Sequence, residues 1–257
     1  MLSAIEASII VKVKVKVKVK VIIHTLMENI IKTKRYETKF RITRLNYYEI
    51  ENIVKTHPAI FCEIYNKRNI NNIYFDTHDL SNYLDNVEGE TNRQKVRIRW
   101  YGGLFEKTNS PQLEIKNKRG LLGWKERYKI KNFLLSKKNS FDYREIFDEL
   151  SSSNDLSILQ LNLNSLRPTL LNRYERTYYL SHDKKFRITL DRKMKFYSIN
   201  PFIEHFKTFT DTENTIVELK YDESNIDQAQ KITQFFPHRV TKNSKYVVGI
   251  DKIANWY

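Results

Sequence analysis

Charged and apolar side chains alternate along several short segments of the chain. The segments read RYETKFRI from Arg35, KVRIRWY from Lys95, QLEIKNK from Gln112, KFRITLD from Lys185 and TIVELKY from Thr215. Successive side chains of a strand point to opposite faces, so this spacing predicts strands with one charged and one apolar face.

A carboxylate and at least one cation recur together on the charged faces. Glu114 shares a predicted face with Lys116, and Glu218 shares one with Lys220. On a single strand, the ordinary interpretation is a charged face turned to solvent above an apolar core. Because several strands repeat the combination, we predict that these faces look at one another across a shared cavity. Such a cavity would bind a polyanion.

The remaining pattern predicts further strands and short helices. Asn46 caps a predicted helix that ends near Thr56, because the residue before Pro58 disfavours helical geometry. A short strand near residues 60–65 and a strand beginning at Asn72 precede a brief helix in DLSNYLDN. Strands follow near residues 93–101, 111–118 and 123–132.

Residues 141–166 interrupt this antiparallel pattern and predict a helical insertion. FDYREIFDEL has helical spacing, and LSILQLNLNSL is either a second helix or an apolar hairpin. Strands are predicted again at residues 173–181, 185–191 and 214–221. Helices are predicted at residues 225–236 and from Ser244 onward.

Residues 11–21 read VKVKVKVKVKV, a strict alternation that would place valines on one face of a strand and lysines on the other. One interpretation is a basic arm that binds a membrane surface, a polyanion or a partner protein. The other is a solvated extension upstream of a true start at Met27. We therefore divide the chain into an N-terminal extension, residues 1–26, and a single domain, residues 27–257.

Composition narrows the class of protein. The 257 residues are 40% hydrophobic, which suits one folded domain, and the net charge of +15 implies an acidic partner. The single cysteine, Cys62, excludes an internal disulfide bond. No apolar run is long enough to span a bilayer and no signal peptide is evident, so we expect a cytoplasmic protein without a transmembrane segment. The chain also lacks a glycine-rich phosphate loop, so side chains must hold any phosphate.

Nine motifs in order resemble a known family. They are RYETKF, NIYFDT, KVRIRWYG, LEIKNK, WKERYKI, RYERTYY, FRITLD, VELKY and NSKY. The series is similar to the polyphosphate polymerase domain of the vacuolar transporter chaperone family, the VTC domain, within the triphosphate tunnel metalloenzyme superfamily. The resemblance runs from about Arg35 to Gly249. It implies an α+β fold, in which eight antiparallel strands form an open tunnel barrel with helices packed outside.

The resemblance also implies a set of functional residues. Those expected to act in catalysis are Arg97, Arg99, Lys125, Arg176 and Arg187. Those expected to bind substrate are Lys39, Lys116, Lys220, Lys242, Lys245 and Ser244. Glu218 matches the family's metal-binding acid, Glu114 is a plausible second ligand, and the expected ion is Mn²⁺ or Mg²⁺. The implied substrates are ATP and inorganic polyphosphate, and no nucleic-acid partner is expected.

Three interpretations of function remain open. The first is a polymerase that transfers the terminal phosphoryl group of ATP to polyphosphate. The second is hydrolysis of inorganic tripolyphosphate or of an RNA 5′-triphosphate in the same tunnel. The third is a basic module that binds polyphosphate or nucleic acid without catalysis. Hydrolytic branches of the superfamily begin with two or more alternating glutamates, whereas this chain has Arg35, Glu37 and Lys39, which favours the polymerase.

Two further acidic positions have alternative interpretations. Asp76, His78 and Asp79 could ligate a metal, but the lack of a second cluster favours a structural turn. Asp191 shares a predicted face with Arg187 and could either pair with it or approach the metal.

Overall fold

A computed structural model describes residues 35–120, 122–136, 143–151, 163–199, 206–236 and 238–254. Nine strands of this part of the chain form one sheet: β1 (Arg35–Ile42), β2 (Cys62–Asp76), β3 (Asn92–Tyr101), β4 (Asn109–Arg119), β5 (Leu122–Lys129), β6 (Arg167–Leu180), β7 (Arg187–Ser198), β8 (Thr208–Asp211) and β9 (Thr215–Asp222). The strand order is β1-β9-β7-β6-β2-β3-β4-β5, and β8 pairs with β7. The strands pair antiparallel.

Helices accompany the sheet. The described residues contain α1 (Tyr47–Lys55), α2 (Ser81–Glu88), α3 (Arg144–Ser151), α4 (Ile226–Thr233) and α5 (Lys245–Ala254), with 3-10 turns at Leu163–Ser165 and Glu223–Asn225. Asn46 begins α1 as predicted, because its side chain accepts from the backbone of Glu49 while Glu49 accepts from the backbone of Asn46. No helix in these ranges has the length and apolarity to span a membrane.

The sheet curls so that its distant strands face each other. Glu37 on β1 lies 3.8 Å from the Nζ of Lys116 on β4, although five strands separate β1 from β4 in the sheet order. Bulges support the curvature, since β2 and β6 shift register three times along their length. The prediction of an eight-stranded antiparallel tunnel is confirmed, and the short strand β8 is an addition.

The free edge of β1 is covered by the segment that leads into α5. Phe40 and Val240 form an isolated antiparallel bridge, and the backbone N–H of Thr241 donates to the carbonyl of Lys39 at 2.8 Å. These bonds satisfy backbone groups that an edge strand would otherwise expose. They also fix the position at which α5 begins.

Apolar side chains on the outer face of the sheet form the core. Val96, Ile98 and Trp100 alternate with the arginines of β3 and pack with Phe147 of α3. A second cluster lies beneath α1 and α4 and includes Ile50. Burial of the intervening residues forces the charged residues of β3 onto the opposite face.

Helix α5 packs on the inner face of the sheet. Tyr246 and Ile250 contact a cluster that includes Ile70, Tyr74 and Tyr174. On a strand, residues two positions apart share a face, so Tyr174 faces the same side of β6 as Arg176. The helix therefore fills one end of the tunnel interior.

Several predicted element boundaries need correction. The segments predicted separately near residues 60–65 and from Asn72 belong to one strand of 15 residues. Its register shifts interrupt the alternation on which the sequence prediction relied. The Val/Lys alternation at residues 11–21 and most of LSILQLNLNSL lie outside the described residues.

Gly249 allows α5 to approach the sheet. A Cβ at this position would lie 2.4 Å from Cδ2 of Leu170 and 2.6 Å from Cδ1 of Phe196. We expect Gly249→Val to lower the free energy of unfolding by about 1–3 kcal/mol, the usual cost of overpacking. Chemical denaturation measures this change. Gly123→Val is the matched control, because the nearest atom to its Cβ is 3.7 Å away, and an equal loss in both variants would contradict the close packing of α5.

Candidate active site: a charged tunnel

Glu114 is the centre of a cation cluster on β3, β4 and β5. It lies directly opposite Arg97 on one neighbouring strand and Arg127 on the other. Arg97 donates to Glu114 through Nε at 2.8 Å and Nη2 at 2.6 Å, while Nη1 of Arg99 lies 3.6 Å away. Lys125 also donates to Glu114, and Nε of Arg127 lies 3.5 Å away. One carboxylate thus holds four cations in place.

These contacts set the protonation state of Glu114. Burial alone would raise its pKa, but Arg97, Arg99 and Lys125 hold the pKa of this carboxyl well below its usual range. The cations themselves face open space, since the side chains of Arg97 and Lys125 remain 23% and 28% exposed. Glu114 is therefore ionised and committed to its cations, while those cations can still reach a ligand.

A second cluster joins β1 and β9. Lys39 lies 2.5 Å from Glu37 and 3.8 Å from Glu218, and Lys220 lies 2.5 Å from Glu218. Burial opposes ionisation of Glu218, but Lys220, Arg176 and Lys39 together lower the pKa of its carboxyl. Two carboxylates, Glu37 and Glu218, therefore lie beside Lys39 at this part of the wall, and carboxylate oxygens are the ligands that Mn²⁺ and Mg²⁺ prefer.

Asp191 links β7 to α5. Arg176 binds it in a bidentate manner, through Nε at 2.5 Å and Nη2 at 2.6 Å, and Lys245 donates to it at 2.5 Å. The expected pairing of Asp191 with Arg187 is therefore not observed, because the partners of this carboxylate are Arg176 and Lys245. Burial opposes the charge of Asp191, yet Arg176 and Lys245 lower the pKa of its carboxyl.

Lys95 belongs to the tunnel wall, although the sequence analysis did not single it out. Its Nζ donates to Oγ of Ser244 at 2.9 Å, at the start of α5. Lys95, Lys116 and Lys125 lie side by side on β3, β4 and β5. Burial, followed by repulsion from Lys39 and Lys116, lowers the pKa of Lys95 to about 7, and burial with Arg97 lowers the pKa of Lys125 to about 7.

The structure brings together most of the predicted site residues but leaves two at the periphery. Arg187 is exposed at the start of β7, opposite Lys220, and Lys242 is exposed before α5. Neither forms an ion pair with a described residue. The predicted site residues that share the tunnel wall are Lys39, Arg97, Arg99, Glu114, Lys116, Lys125, Arg176, Glu218, Lys220, Ser244 and Lys245.

Asp76 has a structural role, as the absence of a second cluster suggested. Its carboxylate accepts from the backbone N–H groups of Asn82 and Tyr83, both at 2.9 Å, and from the hydroxyl of Tyr246 at 2.5 Å. It thereby fixes the start of α2 against α5. Among the described residues, no group of three or more His, Cys, Asp or Glu side chains is arranged to hold a metal.

An antiparallel sheet curled around a wall of lysine and arginine side chains is the architecture of the triphosphate tunnel class of proteins. The VTC domain family model matches residues 34–254. The chain therefore belongs to the VTC domain family, and the resemblance seen in the sequence is confirmed. A comparison with curated proteins gives no match.

Solved structures resemble the fold at low sequence identity. The PH1819 protein from Pyrococcus horikoshii is 13% identical, with a TM-score of 0.48 over 86% of this chain and 99% of that one. A putative adenylate cyclase from Vibrio parahaemolyticus is 13% identical, with a TM-score of 0.44 over 82% and 95%. A putative adenylyl cyclase from Hippeastrum, described as having dominant triphosphatase activity, is 14% identical, with a TM-score of 0.43 over 84% and 96%.

Removing the carboxylate of Glu114 should destabilise the fold. We expect Glu114→Gln to lower the free energy of unfolding at pH 7 by at least about 2 kcal/mol, less than for a fully buried pair because its cations are partly exposed. The pKa of Glu114 is lowered in the folded state, so its contribution is complete above about pH 4.5 and is lost as the pH falls below that value. Denaturation of both proteins from pH 3 to 7 tests this, and a difference that does not shrink in acid would contradict it.

Binding of a polyanion should protonate the side chain of Lys95. Near pH 8 a lysine with a pKa of about 7 is mostly neutral, and a bound polyanion would raise that pKa and draw in a proton. We therefore expect inorganic tripolyphosphate to bind with proton uptake, measured by calorimetry in buffers of different ionisation enthalpy. Lys95→Gln should reduce the uptake by about half, since Lys125 contributes similarly, whereas Lys55→Gln on α1 should leave it unchanged. Equal uptake in all three proteins would show that Lys95 does not face the anion.

Proposed function

We propose that this protein is a metal-dependent polyphosphate polymerase, which transfers the terminal phosphoryl group of ATP to a growing polyphosphate chain and releases ADP. The observation that supports this most directly is the incomplete compensation of positive charge in the tunnel. The three adjacent lysines Lys95, Lys116 and Lys125 share the wall with Arg97 and Arg99, yet only Glu114 and Glu37 lie within ion-pair distance of this group among the described residues. A bound polyphosphate would supply the missing negative charge.

The arrangement suits phosphoryl transfer between two phosphates. This reaction mainly requires alignment of the reacting groups and stabilisation of charge on the transferring phosphoryl group. Arg97 and Arg99 present planar guanidinium groups that can bind phosphate oxygens in a bidentate manner, and the lysines act as point charges. The terminal phosphate of polyphosphate is an anionic nucleophile, so the polymerase needs no general base.

The protonation of the carboxylates favours the polymerase over a hydrolase. A hydrolase benefits from a carboxylate that can accept a proton from water, and an efficient base has a pKa near the operating pH. In the described tunnel, the pKa values of Glu114, Asp191 and Glu218 are all lowered by their cations. These groups are weak bases, which agrees with a reaction that does not activate water.

Glu218 and Glu37 are the residues that fit a divalent metal. Carboxylate oxygens are the ligands that Mg²⁺ and Mn²⁺ prefer, and substrate phosphates would complete the coordination shell. Glu114 was a plausible second ligand, but its four cationic contacts favour a role in positioning Arg97 and Lys125. When bound, the metal would act as a Lewis acid on phosphate oxygens. Lys39 and Lys220 would hold the adjoining phosphates.

The decisive experiment follows the phosphorus products of ATP. Purified protein is incubated with ATP and Mn²⁺, the metal is removed with a chelator, and phosphorus NMR then distinguishes internal phosphate from orthophosphate. We expect internal phosphate to accumulate with ADP. Glu218→Gln should abolish chain growth, whereas Glu175→Gln, a carboxylate paired with Arg192 on the opposite face of the sheet, should retain it.

Changes to the arginines test the assignment of the site. Arg97→Gln and Arg99→Gln should each lower the rate of chain growth by about a hundredfold or more, because each removes charge stabilisation from the transferring group. Full activity in both would contradict the site. Orthophosphate without chain growth would identify a hydrolase. Unchanged ATP, with polyphosphate binding that survives Glu218→Gln, would identify a binding module.

A further inference from the structure

Four side chains form a tyrosine–arginine cluster on β2, β3 and β6. The guanidinium carbon of Arg68 lies 4.4 Å from the ring centroid of Tyr65, 5.6 Å from that of Tyr101 and 5.5 Å from that of Tyr178. The rings of Tyr65 and Tyr178 meet edge to face at 5.5 Å. Arg68 forms no ion pair with a described residue, so aromatic faces are its principal partners here.

The cluster adjoins the charged tunnel at the side away from α5. Arg68 lies directly opposite Arg176 in the pairing of β2 with β6. The ring of Tyr178 lies between the two arginines, 5.5 Å from Arg68 and 5.9 Å from Arg176. Helix α5 packs against Tyr174, on the other side of Arg176 along β6. Within the described part of the chain, the cluster therefore lies at the end of the tunnel opposite α5.

The tyrosine–arginine cluster differs from the other tyrosines of the tunnel in the solvent exposure of its rings. Tyr65 and Tyr101 are each 45% exposed, whereas Tyr74, Tyr174 and Tyr246 are buried. An open pocket of about 690 Å³ adjoins the ring of Tyr65 and is lined by Glu63, Ile64, Tyr65, Asn66 and Arg68. Large aromatic faces that are open to solvent next to a pocket offer a surface for a flat ligand.

We propose that the tyrosine–arginine cluster binds the nucleobase of the nucleotide substrate. This inference rests on the proposed function, since it requires a nucleoside triphosphate whose phosphates lie at Arg176 and beyond. Phosphate groups are bound by cations, and aromatic ring faces add little to their binding energy. A nucleobase, in contrast, stacks on a tyrosine ring and on a guanidinium plane. Glu63 and Asn66 supply hydrogen-bonding groups at the edge of the same pocket. The ribose would then lie near Arg68, which lines the pocket and is directly opposite Arg176.

Selective loss of nucleotide affinity tests the proposal. Calorimetry would compare binding of the β,γ-imido analogue of ATP with binding of inorganic tripolyphosphate, both with Mg²⁺. In the double variant Tyr65→Leu, Tyr101→Leu we expect affinity for the analogue to fall about fivefold or more, the lower end of base-stacking effects. Affinity for tripolyphosphate should stay within about twofold. The double variant Tyr65→Phe, Tyr101→Phe keeps the rings and should bind both ligands as the wild type does.

The outcomes separate this proposal from the polymerase itself. Tyr48→Leu, which removes a tyrosine that is 72% exposed on α1, is the surface control and should change neither affinity. Unchanged affinity for the analogue in the leucine variant, or an equal loss for both ligands, would overturn the base site. A wild type that binds the analogue but grows no polyphosphate would contradict the polymerase and leave the base site standing. If the wild type grows polyphosphate chains but the leucine variant binds the analogue normally, the polymerase proposal stands and the base site is contradicted.

Discussion

Positive charge confined on the inner face of a curled sheet is the constraint on which this structure depends. Each buried carboxylate of the tunnel holds more than one cation: Glu114 contacts four, and Asp191 and Glu218 contact two each. The contacts to Arg97 and Arg176 are short, and they fix the planes of these two guanidinium groups. Removing any one carboxylate would leave several cations facing one another. Glu114 and Asp191 therefore have a structural role, because they hold in place the cations that line the tunnel.

The carboxylates of the tunnel do not balance all of its positive charge, and this excess positive charge links the stability of the fold to its function. Lys95, Lys116 and Lys125 lie in adjacent strand positions, where like charges are destabilising. Burial and then repulsion from Lys39 and Lys116 lower the pKa of Lys95, while burial and repulsion from Arg97 lower the pKa of Lys125. The apolar outer face, where Trp100 is buried beneath the helical layer, holds the strands in spite of this repulsion. A bound polyanion would relieve this repulsion and would thereby also raise the folding stability.

The orientation of the charged side chains could be predicted from the alternation alone, because burial of the apolar face of a strand turns its other face toward the tunnel. Period-two spacing placed Arg97 and Arg99 on one face of β3 and the apolar residues on the other, as the structure does. Partner choice could not be predicted in this way. Asp191 binds Arg176 and Lys245 because β6 and α5 approach it, and no local pattern encodes that approach. The role of Lys95 could not be predicted, because the alternating pattern is the same whether a lysine contacts a carboxylate, a serine or another lysine.

Helix α5 shows how one element can serve both the fold and the site. Its first residues complete the charged wall, since Ser244 accepts from Lys95 and Lys245 binds Asp191. Its next turn packs Tyr246 against Tyr74 and bonds it to Asp76, which fixes α2. Because one short helix carries these contacts, it cannot leave the tunnel without also removing a cation and a hydroxyl from the site. The filled end thus carries part of the charged wall, and the exposed rings of Tyr65 and Tyr101 lie at the opposite end of the described tunnel.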